Sequence, residues 1–280
     1  MTNEQLFLLL ASSNKEWWQD LLPFATATFS VALGALTATY VGRRKELNEL
    51  RLRRVELLNS WVVELKAALE SLIAIKKNYN KKLSSSPYQR FGMVRQFFTE
   101  TPRMELNPNN LSFVIAGNSS GGADFSRISA LVQNFNHLVG IWNMRDKVHG
   151  ESLKRLSVGF RDGDIVARGE GYTLEFDVEY FERVLGQMDS RRGVDLTERC
   201  VTMTDFLIVE LNEVLRQFPN MVEGVMGRVA AREVLKYKNV DYKFLALLEP
   251  CMAVDYEELG ALYALDVDVV REMYSYSGAA

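Results

Sequence analysis

The hydropathy pattern changes character twice within the first third of the chain. Leu21–Val41 reads LLPFATATFSVALGALTATYV, 21 residues without a charge. A helix rising ~1.5 Å per residue crosses a hydrocarbon core of ~30 Å over such a run. From Val55 the pattern becomes periodic: Val55, Leu58, Val62, Leu65, Leu69 and Leu72 recur at spacings of three and four, the a/d seam of a heptad. No helix breaker lies between Arg43 and Leu83, so the sequence predicts a membrane-spanning helix that continues into one long helix. Ser84-Ser85-Ser86-Pro87 should end it, because serines compete for backbone bonds and proline disfavours helix in the residue before it. The seam can bind another subunit or pack on later helices of the same chain. The second is favoured, since so short a heptad run makes a weak coiled coil and the domain needs a core.

Beyond Pro87 the pattern stays mostly helical. Tyr88–Thr99 predicts a short amphipathic helix and Thr101–Asn110 a loop. Leu111–Ala116 fits a helical turn or a strand, and Gly117–Gly122 reads as a turn lacking the Gly-Lys-Ser/Thr ending of a phosphate loop. Ala123–Val148 is a strong helix with Ile128, Leu131, Phe135, Leu138 and Ile141 on its buried stripe. Residues 157–176 differ: Asp162-Gly163, Gly169, Gly171 and the alternation Thr173-Leu174-Glu175-Phe176 predict a β-hairpin or irregular insertion. Asp177–Met188, Leu196–Phe218 and Met221–Tyr276 return to helix, the last broken near Asn239 and Pro250. The predicted class is mainly α. Residues 1–20 form an outer segment, 21–41 a transmembrane helix, 42–83 a basic juxtamembrane helix and 84–280 a helical bundle with the insertion.

Charge sets the orientation. Lys15 is the sole cation before the run, whereas Arg43, Arg44, Lys45, Arg51, Arg53 and Arg54 follow it. The positive-inside rule then places the N-terminus outside and the large domain in the cytoplasm, with Arg43, Arg44 and Lys45 facing lipid headgroups. A cleaved signal peptide would carry its cations before the apolar run, not after. Trp17, Trp18 and Tyr40 stand where an aromatic belt belongs. Ser30, Gly34 and Ala38 repeat at a spacing of four and line one helix face with small residues. Such a face lets neighbouring spans approach closely, which predicts a homo-oligomer. A formal net charge of −3 argues against a general nucleic-acid binder. Cys200 and Cys251 are expected as free thiols in a reducing compartment.

Chemistry-bearing motifs are sparse. The only histidines are His137 and His149, no His/Cys spacing suits zinc, and no Gly-x-Ser-x-Gly elbow is present. No metal or cofactor is expected. One cluster stands apart: Asn143-Met144-Arg145-Asp146-Lys147-Val148-His149, at the expected end of a helix. Arg145 and His149 are four apart, on one face. A guanidinium can hold a phosphate while an imidazole moves a proton, the minimum for cleaving RNA through its 2′-hydroxyl. The same two cations would equally serve a helix C-terminus, where positive charge is favourable.

A single span, a basic juxtamembrane helix and a helix carrying Asn143, Arg145 and His149 resemble the membrane accessory proteins of type VI-B CRISPR systems and related bacterial HEPN-like membrane proteins. The resemblance covers about residues 21–152, and the step from Arg145 to His149 is shorter than is usual for HEPN motifs. It implies a single-pass protein of the bacterial inner membrane that self-assembles around its spans and perturbs the membrane, or forms a pore, during antiphage defence. It also implies a protein or RNA partner from the defence system. The alternatives are a membrane-tethered, metal-independent ribonuclease with Arg145 and His149 catalytic and Asn143 orienting RNA, or a scaffold without activity.

Overall fold

The computed structural model describes residues 3–96, 103–107, 110, 113, 125–158, 165–168, 171–174, 178–237 and 242–275, excepting the side chains of 3, 5–22, 25, 125, 126, 165–168, 171–174 and 242–244. The fold is mainly helical. The chain divides into two compact units, Met1–Glu56 and Leu57–Ala280.

The first unit is helical throughout its described length, belonging to α1 (Asn3–Tyr79). Its side chains from Thr26 to Leu50 are exposed on every face, Phe29, Val31, Leu36, Tyr40 and Leu47 among them. Among the described residues no helix is long and apolar enough to cross a membrane. The expected span Leu21–Val41 includes Leu21, Leu22 and Ala25, whose side chains lie outside the described residues.

The second unit holds the core. Leu58, Val62, Leu65, Leu69 and Leu72 of the heptad seam are all buried within this one chain. Helix α1 stops at Tyr79, four residues before the expected end. Lys81 adopts a left-handed conformation (φ 64°) that no regular helix accommodates. The helix α2 (Pro87–Met93) begins with proline at its first turn, where the missing N–H costs nothing. Next comes α3 (Phe125–Val158), which ends ten residues beyond the predicted Val148. Its stripe of Ile128, Leu131, Phe135, Leu138 and Ile141 is buried, and it packs mainly on α5.

A two-stranded antiparallel hairpin occupies the predicted insertion: β1 (Ile165–Arg168) pairs with β2 (Gly171–Leu174) in the register Ile165 to Leu174. Asp162-Gly163, the expected turn, lies outside the described residues, as do Gly117–Gly122 and Asn239. Two helices follow, α4 (Val178–Leu185) and the long α5 (Gln187–Glu233), which runs on past Pro219 and is kinked at Gly227, φ 79°. Short helices α6 (Tyr242–Leu248), α7 (Tyr256–Tyr263) and α8 (Val267–Tyr274) complete the unit. Asp255 caps α7 by accepting from the amides of Glu257 and Glu258, and Asp266 caps α8 through Asp268. Beside α2, the apolar cluster of Phe91, Leu156, Phe181, Val194, Leu259 and Val270 joins α3, α4 and α5 to the C-terminal pair.

Candidate functional site

The Asn143–His149 cluster lies in the interior of α3, not at its end, because the helix continues to Val158. A capping role at a helix C-terminus is therefore removed for both cations. Asn143 is exposed, while Arg145 is 0% and His149 3% exposed. At ~100° per residue, Asn143 and Arg145 point to different sides of the helix.

Arg145 is consumed by the fold. Its Nη2 donates to the Phe91 carbonyl at 2.8 Å and to that of Val94, and its Nη1 to Asp146 at 3.0 Å and the Arg95 carbonyl at 3.4 Å. Its Nε donates to Thr197 at 3.4 Å, and the guanidinium stacks 5.7 Å from the Phe91 ring centroid. These carbonyls are the otherwise orphaned acceptors at the end of α2, so the arginine closes that helix from the side. His149 packs edge-on against Phe91, centroids 5.2 Å apart, and neither ring nitrogen has a hydrogen-bond partner. Burial, reinforced by the nearby Arg145 charge, pushes its pKa down to about 3, with the Gly92 backbone opposing least. The ring is neutral at pH 7. A phosphate would find the guanidinium enclosed and the imidazole buried and too weakly basic to take a proton, so the geometry does not assemble Asn143, Arg145 and His149 into an open site.

The residues expected to pack spans stand together. Ser30, Gly34 and Ala38, with Phe29, Leu33, Thr37 and Val41, line an open groove along α1. A Cβ placed on Gly34 meets no atom within 4 Å. Each Ser and Thr hydroxyl of the run bonds to its own helix: Thr26 to the Pro23 carbonyl, Thr28 to Phe24, Ser30 to Thr26, Thr37 to Leu33 and Thr39 to Ala35, all at 2.7–3.0 Å. Such back-bonding leaves none of these five hydroxyl protons in need of water. Arg43, Arg44 and Lys45 are exposed immediately after it.

A second constellation, in the Leu57–Ala280 unit, was not read from the sequence. Lys76 is fully buried, 2.7 Å from Asp205, and donates to the carbonyls of Leu247 (2.8 Å) and Glu249 (2.6 Å). Arg90 and Glu198, 2% and 1% exposed, pair at 2.8 Å through Nε and Oε1. Arg90 Nη1 also donates to the carbonyls of Met252 (2.6 Å) and Ser84 (3.4 Å). Arg90, Glu198, Asp205 and Cys251 line one cleft of about 440 Å³. Burial pushes Glu198 up to about 7 although Arg90 pulls it down. Burial and the Asp205 charge push the Cys251 thiol up to about 12. Burial likewise raises Cys200, so both free thiols stay protonated and poorly nucleophilic.

A signal for this cleft was present. The seam of α1 steps from Leu72 to Lys76 and Tyr79, and the α5 stripe Val194, Glu198, Val201, Asp205, Ile208 carries two acids at positions the apolar spacing would bury. A charge on an apolar stripe demands a buried partner. Among the described residues no group of three or more His, Cys, Asp or Glu could hold a metal ion. No protein family's profile, no curated protein and no solved structure matches this chain.

Proposed function

We propose that this protein is a non-enzymatic accessory or effector protein of the bacterial inner membrane, anchored by Leu21–Val41 with its large helical domain in the cytoplasm, and acting through association of its spans. The observation that carries this reading is the set of five self-satisfied Ser and Thr hydroxyls on a charge-free helical run whose described side chains are all exposed. In water such a helix would leave a long apolar surface uncovered, whereas lipid covers it and tolerates hydroxyls already bonded to carbonyls. The cations Arg43, Arg44 and Lys45 suit the headgroups that would follow. Perturbation of the membrane in antiphage defence rests on the family resemblance. The enclosure of Arg145 and the buried, weakly basic His149 favour this reading over a ribonuclease.

The test is extraction of the full chain from bacterial membranes. It should resist alkaline carbonate, yield to detergent, and form a discrete oligomer by light scattering corrected for bound detergent. Gly34→Leu should lower the subunit number by blocking close approach of the spans. Release by carbonate would remove the anchor, and an unaltered oligomer in Gly34→Leu would remove the small-residue contact.

A further inference from the structure

Residues 249–253, between α6 and α7, are attached to the Leu57–Ala280 unit differently from their flanks. Leu247 before them and Val254 after them are buried, and the Asp255 amide donates to the Ser85 carbonyl at 2.8 Å. Between those anchors Glu249, Pro250, Met252 and Ala253 are exposed and Cys251 is half-buried. The cleft of about 440 Å³ lies between this strap and α5, with Pro250, Cys251 and Met252 on one side and Val201, Asp205 and Phe206 on the other. Apolar burial therefore does little to hold the strap in place.

Its main chain is held instead. Lys76 of α1 donates to the carbonyls of Leu247 and Glu249 and lies 2.7 Å from Asp205. Asp205 of α5 accepts from the Cys251 amide at 2.6 Å. Arg90 of α2, paired with Glu198, donates to the Met252 carbonyl at 2.6 Å. Three helices thus each supply one charged group, and each group binds the backbone of the strap.

Such an attachment is firm only while it is complete. A charge that meets water when the strap lifts recovers its hydration, so an ion pair holds a segment less firmly than equal apolar burial does. Removing one grip also strands its backbone partners, which favours their release to water. A stretch held by polar bonds between two apolar anchors is the kind that opens locally, below the free energy of global unfolding.

We propose that residues 249–253 form a latch over the cleft whose closure depends on the grip of Lys76, so that α1 controls access to the cleft. The device is independent of the membrane reading, since every group in it lies in the Leu57–Ala280 unit. The chain carries its own reporters: Cys251 sits on the strap, and Cys200 is fully buried on α5. Opening of the latch frees the first thiol alone, whereas global unfolding frees both.

The test is pulsed alkylation of the full chain in detergent with N-ethylmaleimide, below the unfolding transition, each cysteine being followed by peptide mass spectrometry. In the parent protein Cys251 should react at least ten-fold faster than Cys200, and at least ten-fold more slowly than the cysteine of an unstructured peptide. Lys76→Met, which removes the grip from α1, should speed Cys251 at least ten-fold and leave Cys200 unaltered. Asp205→Asn keeps an oxygen for the Cys251 amide but loses the charge opposite Lys76. It should act in the same direction, and it decides the matter if Lys76→Met does not fold. The proposal is overturned if the two thiols react together, if Cys251 of the parent reacts as fast as the peptide, or if neither variant speeds Cys251 selectively.

Discussion

At the scale of single residues, the buried polar groups of this protein do opposite things with pH. His149 has its pKa depressed from 6.5 to about 3. Its neutral form is favoured by folding, so its contribution is complete above pH 6.5 and is lost as the pH falls toward 3. Glu198 is raised from 4.5 to about 7. Its contribution is complete below pH 4.5 and is lost as the pH rises through 7. Between about pH 4.5 and 6.5 the two offset each other, and below 4.5 only His149 of the pair still changes. Replacing His149 by Phe keeps the ring against Phe91 and removes two unpartnered nitrogens. His149→Phe should alter stability at pH 7 by no more than about 1 kcal/mol, and should flatten the loss between pH 4.5 and 3.5. Melting curves across that range decide it; parallel curves for parent and variant would refute the buried neutral imidazole. The residue types of the Asn143–His149 cluster were legible in the sequence, but their enclosure was not. Nothing local to α3 says that the end of α2 brings its carbonyls to Arg145.

At the scale of elements, the helices were readable because apolar positions at spacings of three and four fix which face is buried. Their ends were less readable. Helix α3 runs ten residues beyond Val148, and α5 passes through Pro219, which local propensity would make a terminus, before its backbone leaves helical geometry at Gly227. Tertiary packing outweighed those costs, since Leu156 of α3 and Met221 and Val222 of α5 are all buried. One close approach is decided by a single glycine. A Cβ on Gly193 would lie 2.5 Å from a carbon of the Phe91 ring, the ring that also meets Arg145 and His149. Gly193→Ala must therefore separate α5 from α2. It should cost about 1–3 kcal/mol, measured by denaturant unfolding, despite alanine's better helix propensity. A stabilised variant would show that the contact yields freely.

At the scale of the whole molecule, every buried residue among those described lies at or beyond Val55. A chain of residues 42–280 should therefore fold without detergent and melt within about 4 °C of the full protein, a shift of ~1 kcal/mol at this size. Fractionation of a lysate and a thermal melt check this; a fragment that pellets or melts far lower would contradict it. The sequence by itself determined what depends on neighbours along the chain: the charge-free run, the cations after it, the mainly helical class and the buried stripes. These are local because helical periodicity and hydropathy are properties of consecutive residues. Only the tertiary structure decided what the charges on those stripes do. Lys76 meets Asp205 across more than a hundred residues of chain, as Arg90 meets Glu198, and Arg145 spends its donors on another helix's carbonyls. Burial energy and electrostatic pairing depend on separation in space, which no local pattern encodes.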